Sequence, residues 1–293
     1  MIDFPQFETL CQRTDSKIIM LVVDGLGGLP HPSTGRSELE SADLPNLDHL
    51  STQSATGLTT PVAPGISPGS GPGHTALFGY DPIQYLIGRG VLEALGLGIH
   101  LGSDDIAIRC NFCTIDNTGT IVDRRAGRIS DVESSKLVHK LGDIKIPGIK
   151  LSTFPGKGHR FVLVLSGDGL SSDVSDTDPS NIGLSPLKAT AVTNGSEITA
   201  ETANAFVEEA RGLLSDETNA NMVLLRGFSQ LPTWPQMNDK YLLNTAAVAA
   251  YPMYRGLAQL IGMEILETGE SFGDELDTLE KNFEAHDFFF LHY

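Results

Sequence analysis

The chain has 293 residues, of which 40% are hydrophobic and 19% charged, so it can bury the core of one large or two modest domains. Its formal net charge of -17 excludes nucleic acid as a general partner, because the phosphate backbone repels an acidic protein.

The cellular compartment can be predicted from the lengths of the apolar runs and from the number of cysteines. No stretch is long and apolar enough to span a membrane, and the first ten residues contain acids instead of a signal-peptide core. Three cysteines, Cys11, Cys110 and Cys113, are an odd and low number that suits a reducing compartment. We therefore expect a cytoplasmic protein that does not contact membranes, with Cys110 and Cys113 as core residues.

The first strong signal follows a short leading helix predicted over Met1–Thr14. Lys17–Val23 is an uninterrupted apolar, β-branched run, which predicts a fully buried parallel strand. Asp24 and Gly25 come directly after it. A carboxylate at the carboxyl end of a buried strand lies where α/β sheets place their ligands, although an Asp-Gly pair is also a frequent turn.

The stretch Ala63–Pro82 contains Ser70 between two glycines, followed by an apolar helix start. Glycine and proline break regular structure before Ser70, and helical spacing takes over after it. A hydroxyl at this junction would lie beside unpaired backbone N–H groups and the positive end of a helix dipole. That position suits a serine that accepts and releases a phosphoryl group; the alternative is a surface loop with a helix-capping serine.

Later elements alternate between helices and strands. A helix is predicted over Gly88–Gly98, and a β-hairpin pairs Asp105–Ile115 with Thr120–Asp123. The polar segment Ser166–Pro186 is interpreted as a disordered insert or as a lid over a site. Further predicted elements are helices at Leu44–Leu50, Ser130–Leu141, Thr199–Ser215, Pro252–Leu266 and Glu275–Phe283, and strands at Phe161–Leu165, Met222–Leu225 and Asp287–Leu291, while Thr245–Ala250 is a small, apolar stretch.

Positive charge is concentrated in one part of this acidic chain. From Arg124 to Arg160 there are nine Lys and Arg residues against three Asp and Glu residues. Three of the arginines, Arg124, Arg125 and Arg128, lie within five positions beside the hairpin end. Guanidinium groups grip phosphate and carboxylate in a bidentate manner, so this cluster indicates a small anionic ligand. The alternative is a solvated basic face.

Six longer motifs occur in order along nearly the whole chain. They are VVDGLGG at Val22–Gly28, PGSGPGH at Pro68–His74, LFGYDP at Leu77–Pro82, IGRGVLEALG at Ile87–Gly96, VDRRAGRI at Val122–Ile129 and YPMYRGLAQLIGM at Tyr251–Met263. With these motifs the chain resembles the archaeal-type, cofactor-independent phosphoglycerate mutases of the alkaline phosphatase superfamily, and their ordered agreement is far more specific than any one motif alone.

The resemblance implies an α/β fold whose phosphatase-like core has a mostly parallel sheet, with helices on both faces, and is interrupted by a smaller inserted α/β domain. On this basis residues 1–85 form the first core segment, 86–244 the substrate-binding insert and 245–293 the second core segment. In the family, further Asp and His metal ligands follow the strand that ends at Tyr293. We therefore expect a partial form with an incomplete core.

The resemblance also implies an activity: interconversion of 3-phosphoglycerate and 2-phosphoglycerate through a phosphoserine at Ser70. Asp24 and Ser70 would contact one of two divalent metal ions, typically manganese or zinc, with magnesium a further option, and no 2,3-bisphosphoglycerate would be needed. Predicted substrate-binding residues are Arg109, Arg124, Arg125, Arg128, His159, Arg160 and Arg255.

The chain departs from the family pattern after the nucleophile, where Gly71-Pro72-Gly73 replaces a segment that usually contains an acid. Two alternatives stay open. One is another phosphatase or phosphomutase of the same superfamily. The other is a non-catalytic remnant that binds phosphorylated metabolites or a partner protein.

Overall fold

The computed structural model describes residues 7–66 and 68–293 and divides the chain into two compact units. The first unit contains Met1–Tyr85, Gln236–Ala250 and Gly262–Tyr293, and the second contains Leu86–Pro235 and Tyr251–Ile261. Of the predicted leading helix, residues 1–6 lie outside the described residues, and Phe7–Leu10 forms a short 3-10 helix.

Nine strands and nine α-helices occur in the described part of the chain. The strands are β1 Ile18–Val22, β2 Ile106–Ile115, β3 Ile121–Asp123, β4 Lys150–Pro155, β5 Arg160–Ser166, β6 Met222–Ser229, β7 Thr245–Ala249, β8 Glu264–Ile265 and β9 Phe288–His292. The helices are α1 Glu38–Ser41, α2 Pro45–Thr52, α3 Ser70–Leu77, α4 Arg89–Gly96, α5 Asp131–Leu141, α6 Glu197–Leu213, α7 Met237–Tyr241, α8 Pro252–Leu260 and α9 Phe272–Asn282.

The first unit is built on a four-stranded parallel sheet with the order β1-β9-β7-β8. Strand β9 lies inside the sheet and is buried along its whole length. Val22 of β1 pairs with His292 of β9, so the carboxyl ends of these two strands share one edge of the sheet. This edge is where parallel sheets present ligand-binding residues.

Strand β1 is parallel, as predicted, but the prediction that it is fully buried was wrong. It occupies the end of the sheet and has a single neighbour, β9, among the described strands. Ile18, Ile19 and Leu21 are consequently 47%, 48% and 44% exposed. An apolar, β-branched run predicts a strand from local sequence. The burial of that strand depends on how many other elements pack against it, and the run itself does not contain this information.

The second unit is built on a five-stranded antiparallel sheet in which β2 pairs with β3, β5 and β6, and β4 pairs with β5. One face carries the main hydrophobic cluster, to which α5 and α6 contribute Leu137, Val138 and Phe206. The other face carries a smaller hydrophobic cluster, in which Val91 and Ala94 of α4 pack against side chains of β2 and β5. Several polar side chains of the sheet also lie on this second face.

Helix α4 is held close to its neighbours by glycines. A Cβ at Gly90 would lie 2.0 Å from the carbonyl oxygen of Ala107 in β2, and one at Gly96 would lie 1.6 Å from the carbonyl oxygen of Pro252 in α8. Only glycine permits such approaches of backbone to backbone. The position of α4 over the sheet is therefore closely fixed.

The fold class is mixed α/β, as predicted, with one parallel and one antiparallel sheet. One expectation needs correction. The segment Ser166–Pro186 is not disordered, because Thr177 is hydrogen-bonded to Leu225 of β6 and Val174 bridges to Ala191. Within the described residues, no helix has the length and apolar character needed to cross a membrane.

Candidate functional site

The first candidate feature is the start of α3, where Ser70 is the first helical residue. Gly69 caps the helix without a side-chain hydrogen bond, and Ser70 is exposed to solvent. The change from irregular structure to helix that the glycines and prolines predicted is therefore present. The Ser70 hydroxyl lies at the positive end of a helix dipole, which favours an anion.

Two histidines lie between this helix and the end of the first strand. His74 Nδ1 donates to the carbonyl oxygen of Ser70 at 2.8 Å, which leaves the lone pair of the neutral ring on Nε2. The rings of His74 and His292 are 5.0 Å apart, and His292 Nε2 lies 3.8 Å from Asp24 Oδ2. Asp24 and the Ser70 backbone are thus connected through His292 and His74.

The electrostatics of these histidines favour neutral rings. Burial, assisted by His74 and opposed by Asp24, lowers the pKa of His292 to about 4. Burial also lowers the pKa of His74, against the effects of the Ser70 carbonyl and Asp24. Neutral imidazoles are the form that accepts a proton or binds a metal.

A complete metal centre is not formed by these groups. The donor set in the first unit is the Asp24 carboxylate, the Ser70 hydroxyl and the two imidazoles. In residues 7–66 and 68–293, no group of three or more His, Cys, Asp or Glu side chains is arranged to hold a metal ion. A two-metal site needs several such ligands for each ion, so the described residues do not fit one by themselves.

The second unit contains a cavity of about 570 Å³ whose lining is strongly cationic. Seven arginines and one lysine face a single carboxylate. The lining residues are Arg89, Arg109, Asn111, Arg124, Arg125, Arg128, Asp131, Lys157, Gly158, His159, Arg160 and Arg226. Such an excess of guanidinium groups is suited to phosphate and carboxylate.

Strand pairing brings the distant members of this set together. Arg109 of β2 lies opposite Arg226 of β6, and Asn111 of β2 lies opposite Arg160 of β5. Because residues directly opposite each other share a face of the sheet, and i and i+2 do as well, all four project from the same face. Three neighbouring strands therefore supply the floor of the cavity.

Some polar atoms of this floor are buried and have no hydrogen bond among the described residues. They are Arg109 Nε, Arg226 Nε and Asn111 Oδ1. Leaving a buried polar atom unpaired costs about 1–3 kcal/mol. Each of the two arginine atoms lies near a carboxylate but beyond hydrogen-bond distance, because Arg109 Nε is 3.7 Å from Glu93 Oε2 and Arg226 Nε is 3.8 Å from Asp176 Oδ2.

His159 lies among the arginines and is held neutral. Burial, followed by the charges of Arg160, Arg125, Arg109 and Arg128, lowers its pKa from 6.5 to about 4. At neutral pH it therefore offers one donor and one acceptor without adding to the charge of the cavity.

Six of the seven predicted substrate-binding residues line this one cavity: Arg109, Arg124, Arg125, Arg128, His159 and Arg160. The seventh, Arg255, lies on α8 and is not part of the lining. The sequence interpretation missed Arg89, Asn111, Lys157 and Arg226. A signal existed for Arg226, because a charged residue that interrupts the apolar run Met222–Phe228 must have a polar environment.

The fold and this cavity define a class: an α/β protein with a cationic cavity suited to small, multiply anionic molecules. Comparison with known proteins gives the family. Residues 51–219 match the family model described as 2,3-bisphosphoglycerate-independent phosphoglycerate mutase. The chain therefore belongs to the 2,3-bisphosphoglycerate-independent phosphoglycerate mutase family, a family of isomerases, as the sequence motifs predicted.

Individual relatives agree with this family assignment. A probable 2,3-bisphosphoglycerate-independent phosphoglycerate mutase of Thermus thermophilus is 48% identical over 99% of this chain and 72% of its own length. A protein of the same description from Thermotoga neapolitana is 45% identical over 100% of this chain and 73% of its own length. A solved cofactor-independent phosphoglycerate mutase from Thermoplasma acidophilum has a TM-score of 0.67 and 33% identity, covering 95% of this chain and 77% of that structure.

Proposed function

We propose that this chain interconverts 3-phosphoglycerate and 2-phosphoglycerate by way of a phosphoserine at Ser70. The observation that carries the proposal is the arginine-lined cavity. Both substrates carry one phosphate and one carboxylate, and an excess of guanidinium groups can hold both anions at once. Membership of the mutase family supports the choice of this pair over other phosphorylated acids.

The transfer requires two in-line displacements. In the first, Ser70 Oγ attacks phosphorus, the bond from phosphorus to the glycerate oxygen breaks, and the proton lost by Ser70 ends on that oxygen. In the second, the neighbouring glycerate hydroxyl attacks the phosphoserine, and its proton returns to Ser70. The product has the same atoms as the substrate and Ser70 is regenerated, so the reaction is an isomerisation.

Arg109, Arg124, Arg125, Arg128, His159 and Arg160 are proposed to hold the phosphate and carboxylate of the substrate. Their presence in one cavity supports this assignment. Arg255 is also proposed to bind substrate, on the basis of its motif.

The first unit is proposed to correspond to an alkaline-phosphatase-like core and the second to the substrate-binding insert. The parallel sheet, with Asp24 and His292 at one edge, supports the first assignment. Asp24 and Ser70 are proposed ligands of a divalent metal ion, manganese or zinc, which would supply Lewis-acid stabilisation of phosphate charge when bound. The family's name marks independence from 2,3-bisphosphoglycerate. We place the activity in glycolysis, in the cytoplasm.

The proposal is tested by incubating the chain with 3-phosphoglycerate and a manganese salt and following both 2-phosphoglycerate and inorganic phosphate. Isomerisation without net release of phosphate is expected. The Ser70→Ala variant should lose all turnover and all covalent labelling from phosphate-labelled substrate. Net phosphate release instead of isomerisation would indicate a phosphatase of the same superfamily and contradict the proposal.

A further inference from the structure

Glu93 is a buried acid beside the arginine-lined cavity, although it is not itself part of the lining. It lies on α4 and is 4% exposed. Its two carboxylate oxygens face different arginines: Oε1 lies 3.6 Å from Arg160 Nη1, and Oε2 lies 3.7 Å from Arg109 Nε. One carboxylate therefore bridges two of the guanidinium groups that line the cavity.

These two arginines need a partner because the sheet places them close together. In the pairing of β2 with β5, Arg109 lies opposite Val162, and Asn111 lies opposite Arg160. Arg109 and Arg160 are thus diagonal neighbours on one face, about 7–8 Å apart at the backbone. Burial lowers the pKa of Arg109, and the charges of Arg160 and Arg89 act in the same direction, against Glu93. Without Glu93, two like charges would repel each other beside the cavity.

Arg160 is also held from a second direction. Its Nη1 donates to the hydroxyl of Tyr251 at 2.5 Å, and its guanidinium lies 5.7 Å from the centre of that ring. Burial works to lower the pKa of Arg160, but the Tyr251 hydrogen bond and Glu93 raise it. Arg109 Nε has no hydrogen bond among the described residues, and Glu93 is its ion-pair partner.

Helix packing leaves Glu93 little freedom to move. Gly90, three residues before Glu93, packs against the backbone of Ala107 in β2. Leu92, the residue before Glu93, packs against α8, where a Cβ at Gly256 would lie 2.2 Å from the Leu92 carbonyl oxygen. A carboxylate on a helix fixed from both sides can set the position of longer, flexible side chains. Pre-set side chains lose less conformational entropy on binding than free ones.

We propose that Glu93 is a positioning residue that holds Arg109 and Arg160 at the spacing at which both guanidinium groups grip one anionic group of the substrate. The inference rests on the proposed function, because it takes a phosphorylated carboxylic acid as the ligand. Glu93 acts through the arginines and does not touch the substrate.

The Glu93→Gln variant distinguishes positioning from simple charge compensation, because the two roles predict opposite changes in the affinity for an anionic ligand. If Glu93 only neutralised charge, its removal would strengthen the attraction of the cavity for an anion. If it positions the arginines, the Glu93→Gln variant should bind 3-phosphoglycerate at least tenfold more weakly in titration calorimetry on the 293-residue chain. Unchanged or tighter binding by a folded Glu93→Gln variant overturns the proposal.

Two further comparisons distinguish the positioning of the arginines from a general effect of Glu93 on the fold. In an Arg109→Gln/Arg160→Gln background, Glu93→Gln should have little further effect on binding, whereas an undiminished effect there overturns the positioning role. Glu275→Gln is the matched control, since Glu275 is a fully buried carboxylate on α9 in the other unit and should leave binding unchanged.

If the Gln variant does not fold, Glu93→Asp keeps the charge but shortens the reach by one methylene. The same loss of binding is expected, and wild-type binding by this variant overturns the proposal. Failure of the proposed function is distinct from these outcomes: there the wild-type chain itself would not bind 3-phosphoglycerate, and the inference would be overturned with it.

Discussion

The carboxylate of Asp178 accepts two hydrogen bonds from Arg124, at 3.0 Å from Nε and 2.6 Å from Nη2. Arg226 Nη1 lies 3.2 Å from the same carboxylate, whose side chain is completely buried. Burial works to raise the pKa of Asp178, but the bonds from Arg124 and Ser180 and the charge of Arg226 lower it overall. One acid from the segment predicted to be a lid or disordered insert thus fixes two arginines of the cavity.

Asp178→Asn should therefore destabilise the protein. The amide keeps the size of the side chain but removes the counter-charge of Arg124, and it leaves Arg226 with its longer ion pair to Asp176, at 3.8 Å. Hydrogen bonds to charged groups contribute about 1.5–3 kcal/mol, and we expect a loss of this order in the free energy of unfolding. Urea unfolding monitored by circular dichroism measures it.

The control for this variant is Lys140→Gln, which removes an exposed ion pair with Glu217 at 3.9 Å and should change stability by less than about 1 kcal/mol. The acid dependence provides a second check. Because the pKa of Asp178 is depressed in the folded state, its contribution is present above the ordinary value of 3.8 and is lost as the pH falls further. The difference between wild type and variant should shrink over that range; a constant difference would contradict the assignment.

A second prediction concerns Arg109, which is part of the lining of the cavity. Arg109→Gln removes the charge and the guanidinium donors from the cavity floor. A charge-assisted hydrogen bond contributes about 1.5–3 kcal/mol, so the affinity for 3-phosphoglycerate should fall about tenfold to a hundredfold. Titration calorimetry at fixed ionic strength measures the change.

Arg211→Gln is the matched control, because Arg211 is an exposed arginine of α6 outside the cavity lining. It makes the same change in net charge and should leave the affinity within twofold of wild type, as roughly expected for a screened surface charge. Equal losses in both variants would mean that the long-range field of the protein, and not contact in the cavity, determines binding.

Much of the fold could be predicted from local patterns. The hairpin of β2 and β3, the helix after Ser130 and the junction at Ser70 all follow from turn residues, caps and periodicity, which act over a few positions. The burial of β1 could not, because it depends on the order of strands in the sheet. The antiparallel pairing of β4 with β5 was likewise missed, since β4 alternates only weakly along its sequence.

The candidate site was predictable where its residues are close in sequence. Arg124, Arg125 and Arg128 are near neighbours, as are His159 and Arg160, so composition alone indicated an anion site. The acids that hold the arginines could not be identified this way. Glu93 and Asp178 come from distant segments, and only the folded chain shows that each bridges two arginines.

A third prediction follows from His159. Its pKa of about 4 means that the folded state binds fewer protons than the unfolded state between pH 4 and pH 6.5, so stability should fall as the pH is lowered through this range. The groups acting on it are Arg160, Arg125, Arg109 and Arg128, with Asp123 as the opposing acid. Titration of the histidine ring signals by NMR should give a midpoint near 4.

Ligand should move that midpoint in a defined direction. A bound phosphate adds negative charge among the arginines, which stabilises the imidazolium, so saturating 3-phosphoglycerate should raise the pKa of His159. The His159→Asn variant identifies the signal and should reduce the loss of stability between pH 6.5 and pH 4. A midpoint at or above 6.5 in the free protein would contradict both the burial of this ring and its position among the arginines.

The fourth prediction contrasts two helical glycines. A Cβ at Gly90 would lie 2.0 Å from the Ala107 carbonyl oxygen, whereas one at Gly212 of α6 would meet nothing within 4 Å. Gly90→Ala must push α4 away from β2 and should destabilise the protein by about 1–3 kcal/mol, as overpacking does. Gly212→Ala should instead stabilise it by about 0.5–1 kcal/mol, because alanine loses less backbone entropy in a helix.

The same pair of variants also connects helix packing with the cavity. Glu93 lies one turn after Gly90, so displacing α4 moves its carboxylate away from Arg109. Gly90→Ala should therefore weaken the binding of 3-phosphoglycerate at temperatures where the variant is still fully folded, and Gly212→Ala should not. Wild-type affinity in a folded Gly90→Ala variant would mean that the arginines keep their positions without the close approach of α4 to the sheet.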